Sequence, residues 1–430
     1  MSSTLPTLQS YYWLLQVALV GLLYLSYVGI AGLLTITLSL FAKFKRTALD
    51  PLTRNGLLWM TGLLLLSCVF AENRPEAFLQ LANFLPYFLY FAVIPFVLRG
   101  TERLERLALT LVIATIPINT IALIEYLLRS EFIPRSIRRI PFIRWVRDRP
   151  HAGRSMVMFD HPNWLASYLV LILGLGLGLI LYHSLCQRSA LSSQLSPKPL
   201  LYLGTFFCLV GIFCTGSRNG LIVAVSQLAL LALCTRSNRT LLSAGLVGIT
   251  SILAGAAWLG IGRRSLSLLS WLNDPRQRTW GIAIDLIRER PWLGWGLGNY
   301  KLQYPARLLA QYPKCIAEQQ SDTVNVLCAN VTHPHNFWLL LASEAGLIVA
   351  IGFTLWVGYL CFRAVKLLIS KQLTPPDSAI LLGYGFAFWS CIVFAFFDVT
   401  LYDARVNAID WTVLAGLYAA TEQGERGDRS

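Results

Sequence analysis

The sequence predicts an all-α fold, a polytopic transmembrane helical bundle of about 12 helices with a large extracytoplasmic loop containing short helices. Two observations carry this. Of the 430 residues, 55% are hydrophobic and only 13% are charged, whereas a soluble domain carries about 25% charged residues. Apolar runs of roughly 20 residues also recur, the length that crosses a hydrocarbon core about 30 Å thick. Lipid offers no partner to a backbone N–H or C=O, so each run must close its own hydrogen bonds as a helix.

The spans are expected at 11–27, 29–42, 55–70, 77–98, 104–127, 163–182, 199–214, 219–234, 241–261, 336–361, 378–397 and 403–420. The stretch Tyr11 to Phe41 is long for one helix and short for two; Gly29 and Gly32 offer a break, so two are expected. No basic segment precedes Tyr11, so the first helix is expected to direct insertion itself. The resulting divisions are N-terminal helices 1–127, a basic extracytoplasmic loop 128–162, central helices 163–261, a large extracytoplasmic loop 262–335, C-terminal helices 336–421 and a cytoplasmic tail 422–430.

Loop charges set the orientation. Lys43, Lys45, Arg46 and Arg54 share one side with Arg99, Arg103, Arg106, Arg188, Lys198, Arg236, Arg239, Arg363, Lys366 and Lys371. The opposite short connections, Ala71 to Glu76, Thr215 to Arg218 and Asp398 to Tyr402, are nearly bare. Cationic loops stay in the cytoplasm, so both termini are expected there. The net charge of +14 is thus explained by a membrane, and nucleic acid is not expected as a partner. Of nine cysteines, most lie in or beside apolar runs. Cys315 and Cys328 share one long outer loop and could pair in an oxidising compartment.

The first outer loop alternates arginine with large apolar groups from Pro134 to Arg147. Such a segment suits the headgroup layer, as an anchor or as a guide for an anionic lipid. The second holds an amphipathic helix, Gln277 to Arg290, with Trp280, Ala283, Ile284 and Ile287 at helical spacing. Pro291-Trp292-Leu293-Gly294-Trp295-Gly296-Leu297-Gly298 ends it.

Several outer positions carry chemistry. In Thr215-Gly216-Ser217-Arg218-Asn219-Gly220, Ser217 can cap a helix whose dipole and Arg218 together suit a phosphate. Arg276 and Arg278 open the amphipathic helix and again suit an anion. In Thr332-His333-Pro334-His335-Asn336, the helix dipole favours the neutral imidazole, which can accept a proton from a hydroxyl. Read alone, each also fits a plain structural role: a snorkelling arginine, a solvated loop charge, an interfacial histidine. Asp160-His161-Pro162-Asn163-Trp164 opens another helix, where His161 either lines the same cavity or only accompanies an Asp160 cap. Cys315, Cys328, His333 and His335 could supply four zinc ligands, but no CxxC pair supports this, and no metal is expected.

His-Pro-His-Asn followed by Phe337 to Phe353 resembles the hallmark of the O-antigen ligase and O-antigen polymerase family. TGSRNG resembles the family's Gly-Ser-Arg helix start. RQRTWGIAIDLIRERPWLGWGLGNY resembles its outer-loop helix, and HPNWLASYL its Pro-Asn helix start. The resemblance implies a bacterial inner-membrane glycosyltransferase without metal or other cofactor. Its donor would be a lipid-linked oligosaccharide on undecaprenyl pyrophosphate, and its acceptor a glycan or lipid hydroxyl. Carried over by motif, Arg218 and Arg278 would hold the pyrophosphate, with Arg276 and Arg154 as further candidates, and His335 would assist the acceptor. His161, Asn163, His333, Asn336 and Glu344 are candidate cavity residues. A transporter related to inorganic-carbon accumulation is one alternative, although Glu125 and Asp398 sit near helix ends rather than at the midplane. A noncatalytic subunit of polysaccharide assembly is another.

Overall fold

The computed structural model describes residues 5–129, 133–151, 153–186, 198–234, 247–248, 276–315, 328–370 and 372–427. They are all-α, and the chain is a multi-pass membrane protein. In order the helices are α1 (Leu5–Tyr24), α2 (Ser26–Phe44), α3 (Pro51–Val69), α4 (Arg74–Gln80), α5 (Leu85–Val93), α6 (Thr101–Arg129), α7 (Arg135–Arg138), α8 (Pro141–Asp148) and α9 (Pro162–Cys186). There follow α10 (Lys198–Thr215), α11 (Arg218–Cys234), α12 (Arg276–Glu289), α13 (Tyr300–Gln311), α14 (Phe337–Ala345), α15 (Leu347–Ser370), α16 (Pro375–Ala395) and α17 (Ala404–Gly427).

Among the described residues, 8 helices are long and apolar enough to cross a membrane, which corrects the expected number of about 12. The reasons are local. Thr7, Gln9, Ser10 and Gln16 dilute α1, and α11 has only 17 residues. Run 336–361 still yields one span, α15, but it breaks at Gly346, whose φ of +90° favours glycine, leaving a 9-residue α14 ahead of it. Asp410, Glu422, Glu425 and Arg426 put charge into α17. The expected span 241–261 lies outside the described residues except for 247–248. The break between α1 and α2 falls at Leu25 rather than at a glycine. Gly29 serves closeness instead: a Cβ there would sit 2.3 Å from the Cα of Leu22.

At the centre stands α9, with 89% of its apolar window buried and α6, α10, α11 and α16 packed around it. Gly178 makes the tightest of these approaches, since a Cβ there would lie 2.1 Å from the Cα of Gly383 on α16. Gln227 of α11 reaches across, donating to the carbonyls of Val170 and Phe386 at 2.9 Å each. A helix held on all sides fixes its own N-terminus, and that end carries Asn163.

The Trp-Gly turn after α12 docks on the break between α14 and α15. Trp295 N–H donates to Ser343 O at 3.0 Å, Gly296 N–H to Glu344 O at 2.7 Å, and Leu347 N–H to Pro291 O at 2.8 Å. This lays α12 and α13 against α14.

Replacing Gly178 by Val should force α9 and α16 apart. Overpacking of this kind costs about 1–3 kcal/mol, read as a lower melting temperature of the purified protein in detergent. An unchanged melting temperature would mean the two helices do not meet there.

Candidate functional site

Asp398 follows α16 in a short turn and is 2% exposed. Its Oδ1 accepts the Val399 N–H at 2.9 Å and lies 3.0 Å from His335 Nδ1. Its Oδ2 accepts from Asn163 Nδ2 at 2.5 Å. Burial would raise its pKa, but His335, His333 and Arg276 outweigh burial and hold it well below the usual carboxylate range. An ionised carboxylate only accepts, so His335 Nδ1 must carry a proton, which in the neutral ring leaves the lone pair on Nε2.

The backbone around His335 is unusual. Its φ is +52°, a left-handed conformation that costs a β-carbon-bearing residue about 1–3 kcal/mol. Local bonds enforce it. His335 N–H donates to His333 Nδ1 at 3.2 Å, and the two rings stand 4.5 Å apart. Asn336 caps α14 by accepting the Leu339 N–H at 3.0 Å, while its Nδ2 donates to Phe396 O at 3.1 Å. The histidine loop is thereby tied to the turn that carries Asp398.

On the other side of Asn163 stands Arg154, itself 3% exposed. Its NH2 donates to Asn163 Oδ1 at 2.7 Å and its Nε to Thr215 O at 2.8 Å. A polar chain thus runs Arg154, Asn163, Asp398, His335. Thr215 opens the turn into α11, where Ser217 Oγ accepts the Gly220 N–H at 3.3 Å as cap. Arg218 is the first residue of that helix, and its buried Nε has no hydrogen-bond partner among the described residues.

Arg276 opens α12 and acts on both Asp398 and His333 through its charge. Thr279, one turn on, donates to Pro334 O at 3.0 Å and so seats α12 on the histidine loop. Arg278 stacks 4.3 Å above the Tyr312 ring. His161 accepts the Asn163 N–H at its Nδ1, 3.1 Å away, and its ring lies 4.5 Å from His151. Burial pushes His161 down to about 3 and His333 down to about 4, so both are neutral at pH 7.

Of the candidate residues, His161, Asn163, His333, His335, Asn336, Arg154 and Arg276 therefore fall in one neighbourhood around Asp398. Glu344 does different work: it is 3% exposed, and its Oε1 accepts the Tyr300 N–H at 3.0 Å where the outer loop docks. Cys315 and Cys328 are joined in a disulfide with Cα atoms 5.2 Å apart, which removes them as zinc ligands. His333, His335 and Asp398 can bring one ligand atom each within 4.8 Å of one another. Both histidine Nδ1 atoms are already engaged in internal hydrogen bonds, so only the Nε2 atoms are left for an ion.

Sequence reasoning missed Asp398 as a functional residue. That connection reads as nearly bare, and its carboxylate is weighed only as part of a transport pair. The available signal was a lone acid in an otherwise uncharged outer turn. It also missed Glu125 and Arg129, a buried ion pair at 3.2 Å one turn apart on α6. Arg129 donates to the carbonyls of Arg149, Pro150 and Arg154, and Glu125 accepts the N–H groups of Met156 and Val157. The pair grips the loop that presents Arg154.

Residues 203–354 match the family model of the O-antigen ligases. The matched stretch takes in most of α10, all of α11 through α14 and the start of α15, and so both Arg218 and His335. No curated protein matches the chain.

The two depressed histidines make stability depend on pH. An unfolded chain binds protons on them below about 6.5, while the folded chain does so only near 4 or 3. Stability should therefore fall as pH drops through this window. Asp398 acts lower, below the ordinary carboxylate range, and does not set this slope. Melting temperatures at about pH 7.5, 6 and 5 should decline stepwise, and the decline should be shallower in His333→Gln. A flat profile for the unmodified protein would contradict the burial of these rings.

Proposed function

We propose, on the premise that residues 203–354 form an O-antigen ligase family domain, that this protein moves a glycan from undecaprenyl pyrophosphate to an acceptor hydroxyl at the outer face of the inner membrane. The observation that carries this reading is the 3.0 Å contact between His335 and the buried Asp398 among cationic side chains. It rests also on the eight apolar helices, which suit a lipid-borne donor.

The reaction needs a proton acceptor and a charge-stabilised leaving group. Asp398 fixes the tautomer of His335, so Nε2 can take the proton from the acceptor hydroxyl as its oxygen attacks the anomeric carbon. The bond from that carbon to the pyrophosphate oxygen breaks, and the polyprenyl pyrophosphate departs with the electron pair. Arg276 supplies positive charge beside the dyad, and Arg218 adds a guanidinium at the positive end of α11. Arg278, stacked on Tyr312, can extend this field toward the outer loop. Arg154 holds Asn163 and thereby Asp398, so its part in binding the pyrophosphate is chiefly to organise the site. No step is routed through a metal.

A ligase and a polymerase share this donor chemistry. A deletion strain separates them: accumulated full-length lipid-linked polymer means ligase, and accumulated single repeat units mean polymerase.

With purified protein and a lipid-linked glycan donor, His335→Ala should lower transfer by about 100-fold or more, the scale of general-base catalysis. Asp398→Asn should act similarly and also lower the melting temperature, because an amide cannot accept from all three donors that the carboxylate satisfies. Arg276→Ala should weaken turnover more than acceptor affinity, because it removes charge stabilisation of the leaving group. Full activity in His335→Ala would sink the mechanism.

A further inference from the structure

The arginine-rich segment after α6 plays no part in that mechanism, yet it builds a second amphiphilic feature. Ile121, Ile124 and Leu128 of α6 and Phe142, Trp145 and Val146 of α8 line an apolar groove. Its mouth lies on an exposed apolar surface: Ile124, Leu127, Phe142 and Trp145 are all half or more exposed. On the opposite face of α8, one helix width from the groove, Arg144, Arg147 and Asp148 line a polar depression together with Arg138 and Arg139. Arg138 and Arg147 are braced on the carbonyls of Ile133 and Leu128 at 2.8 and 3.0 Å. Arg139 is exposed, and Arg144 makes only a loose surface pair with Asp148 at 3.5 Å.

We propose that this groove binds one anionic phospholipid, with an acyl chain along α6 and the phosphate over Arg139 and Arg144. The occupant follows from the two surfaces. An apolar channel on one face of α8 and clustered guanidinium groups on the other lie about 10 Å apart across the helix. They match a tail long enough to lie over its exposed edge and joined to a negative head, and a zwitterionic head would leave the arginine charge unbalanced. Arg149 connects the groove to the candidate site. It stacks 5.7 Å over the Trp145 ring, pairs with Glu125 at 3.1 Å and donates to Val157 O at 3.1 Å. The bound lipid therefore buttresses the same loop, held by Glu125 and Arg129, that presents Arg154.

Native mass spectrometry of the full-length protein, released from nanodiscs of equal phosphatidylglycerol and phosphatidylcholine, tests this without any activity measurement. Phosphatidylglycerol should be retained preferentially, and the preference should fall about fivefold for each of Arg139→Ala and Arg144→Ala. Arg54→Ala, an exposed cation on α3, should leave it unchanged. Phe142→Ala should shorten retention while keeping the headgroup preference. Equal retention of both lipids overturns the proposal, as does an undiminished preference in the double arginine variant. Displacement of the lipid by inorganic phosphate alone would also overturn it, since the tail groove would then contribute nothing. Because the readout is lipid retention, a failed transfer mechanism leaves this result untouched.

Discussion

The site is organised by one buried charge. A carboxylate removed from water is costly unless it is paired and hydrogen-bonded. Asp398 meets that demand with three donors from three separate places in the chain: its own turn, the N-terminus of α9 and the histidine loop before α14. Each donor is itself fixed. Asn163 is held by Arg154, and His335 by the His333 and Asn336 bonds. Satisfying the charge therefore assembles the geometry, and a missing donor would leave the carboxylate exposed to its full desolvation cost. The strained φ of His335 fits this picture, because strain persists only where surroundings over-determine a residue.

Rigidity around the site comes from glycine in two different ways. Along α9, Gly178 lets the backbones of α9 and α16 touch, so the ends bearing Asn163 and Asp398 keep a fixed spacing. At the outer loop, Gly294, Gly296 and Gly346 let one turn lie on the break between α14 and α15. Glu344 locks this seam from beneath by holding the Tyr300 N–H. The apolar helices and the α12–α13 segment thus meet at a close joint beside the histidines.

Much of this was legible in the residues. Apolar run length gave the membrane-spanning character, and motif spacing picked out His335, Asn163 and Arg218. What escaped has a common cause. Run length cannot see a helix diluted by a few polar groups, as α1 is, or one that carries several charges, as α17 does, and so the helix number comes out too high; a break made by one positive φ, as at Gly346, shifts a span without removing it. The Asp398 contact spans 63 residues to His335 and 235 to Asn163, and no local pattern encodes a pairing at such separation. Glu344 reads as a cavity residue because it stands on the helix that follows the His-Asn pair; its side chain accepts a bond from the docked loop instead.

The cations divide by what they already hold. Arg129 is committed to the carbonyls of Arg149, Pro150 and Arg154 and to Glu125. Arg405 is committed to Asp403 and Met158 O and lies 4.4 Å over the Phe159 ring. Arg154 serves Asn163 and Thr215. Guanidinium groups tied this closely to the protein are poorly suited to follow a leaving group whose charge grows during reaction. They suit the opposite task, keeping loops 149–159 and 398–405 still. Under the proposed mechanism the mobile share of the work falls on arginines at helix starts, where the dipole adds to their charge. Arg218, with a buried Nε that no described residue satisfies, and Arg276, whose field reaches Asp398, both meet that condition. An anion drawn to Arg276 would lie near a histidine already oriented by its carboxylate, which is the juxtaposition that the proposed transfer requires.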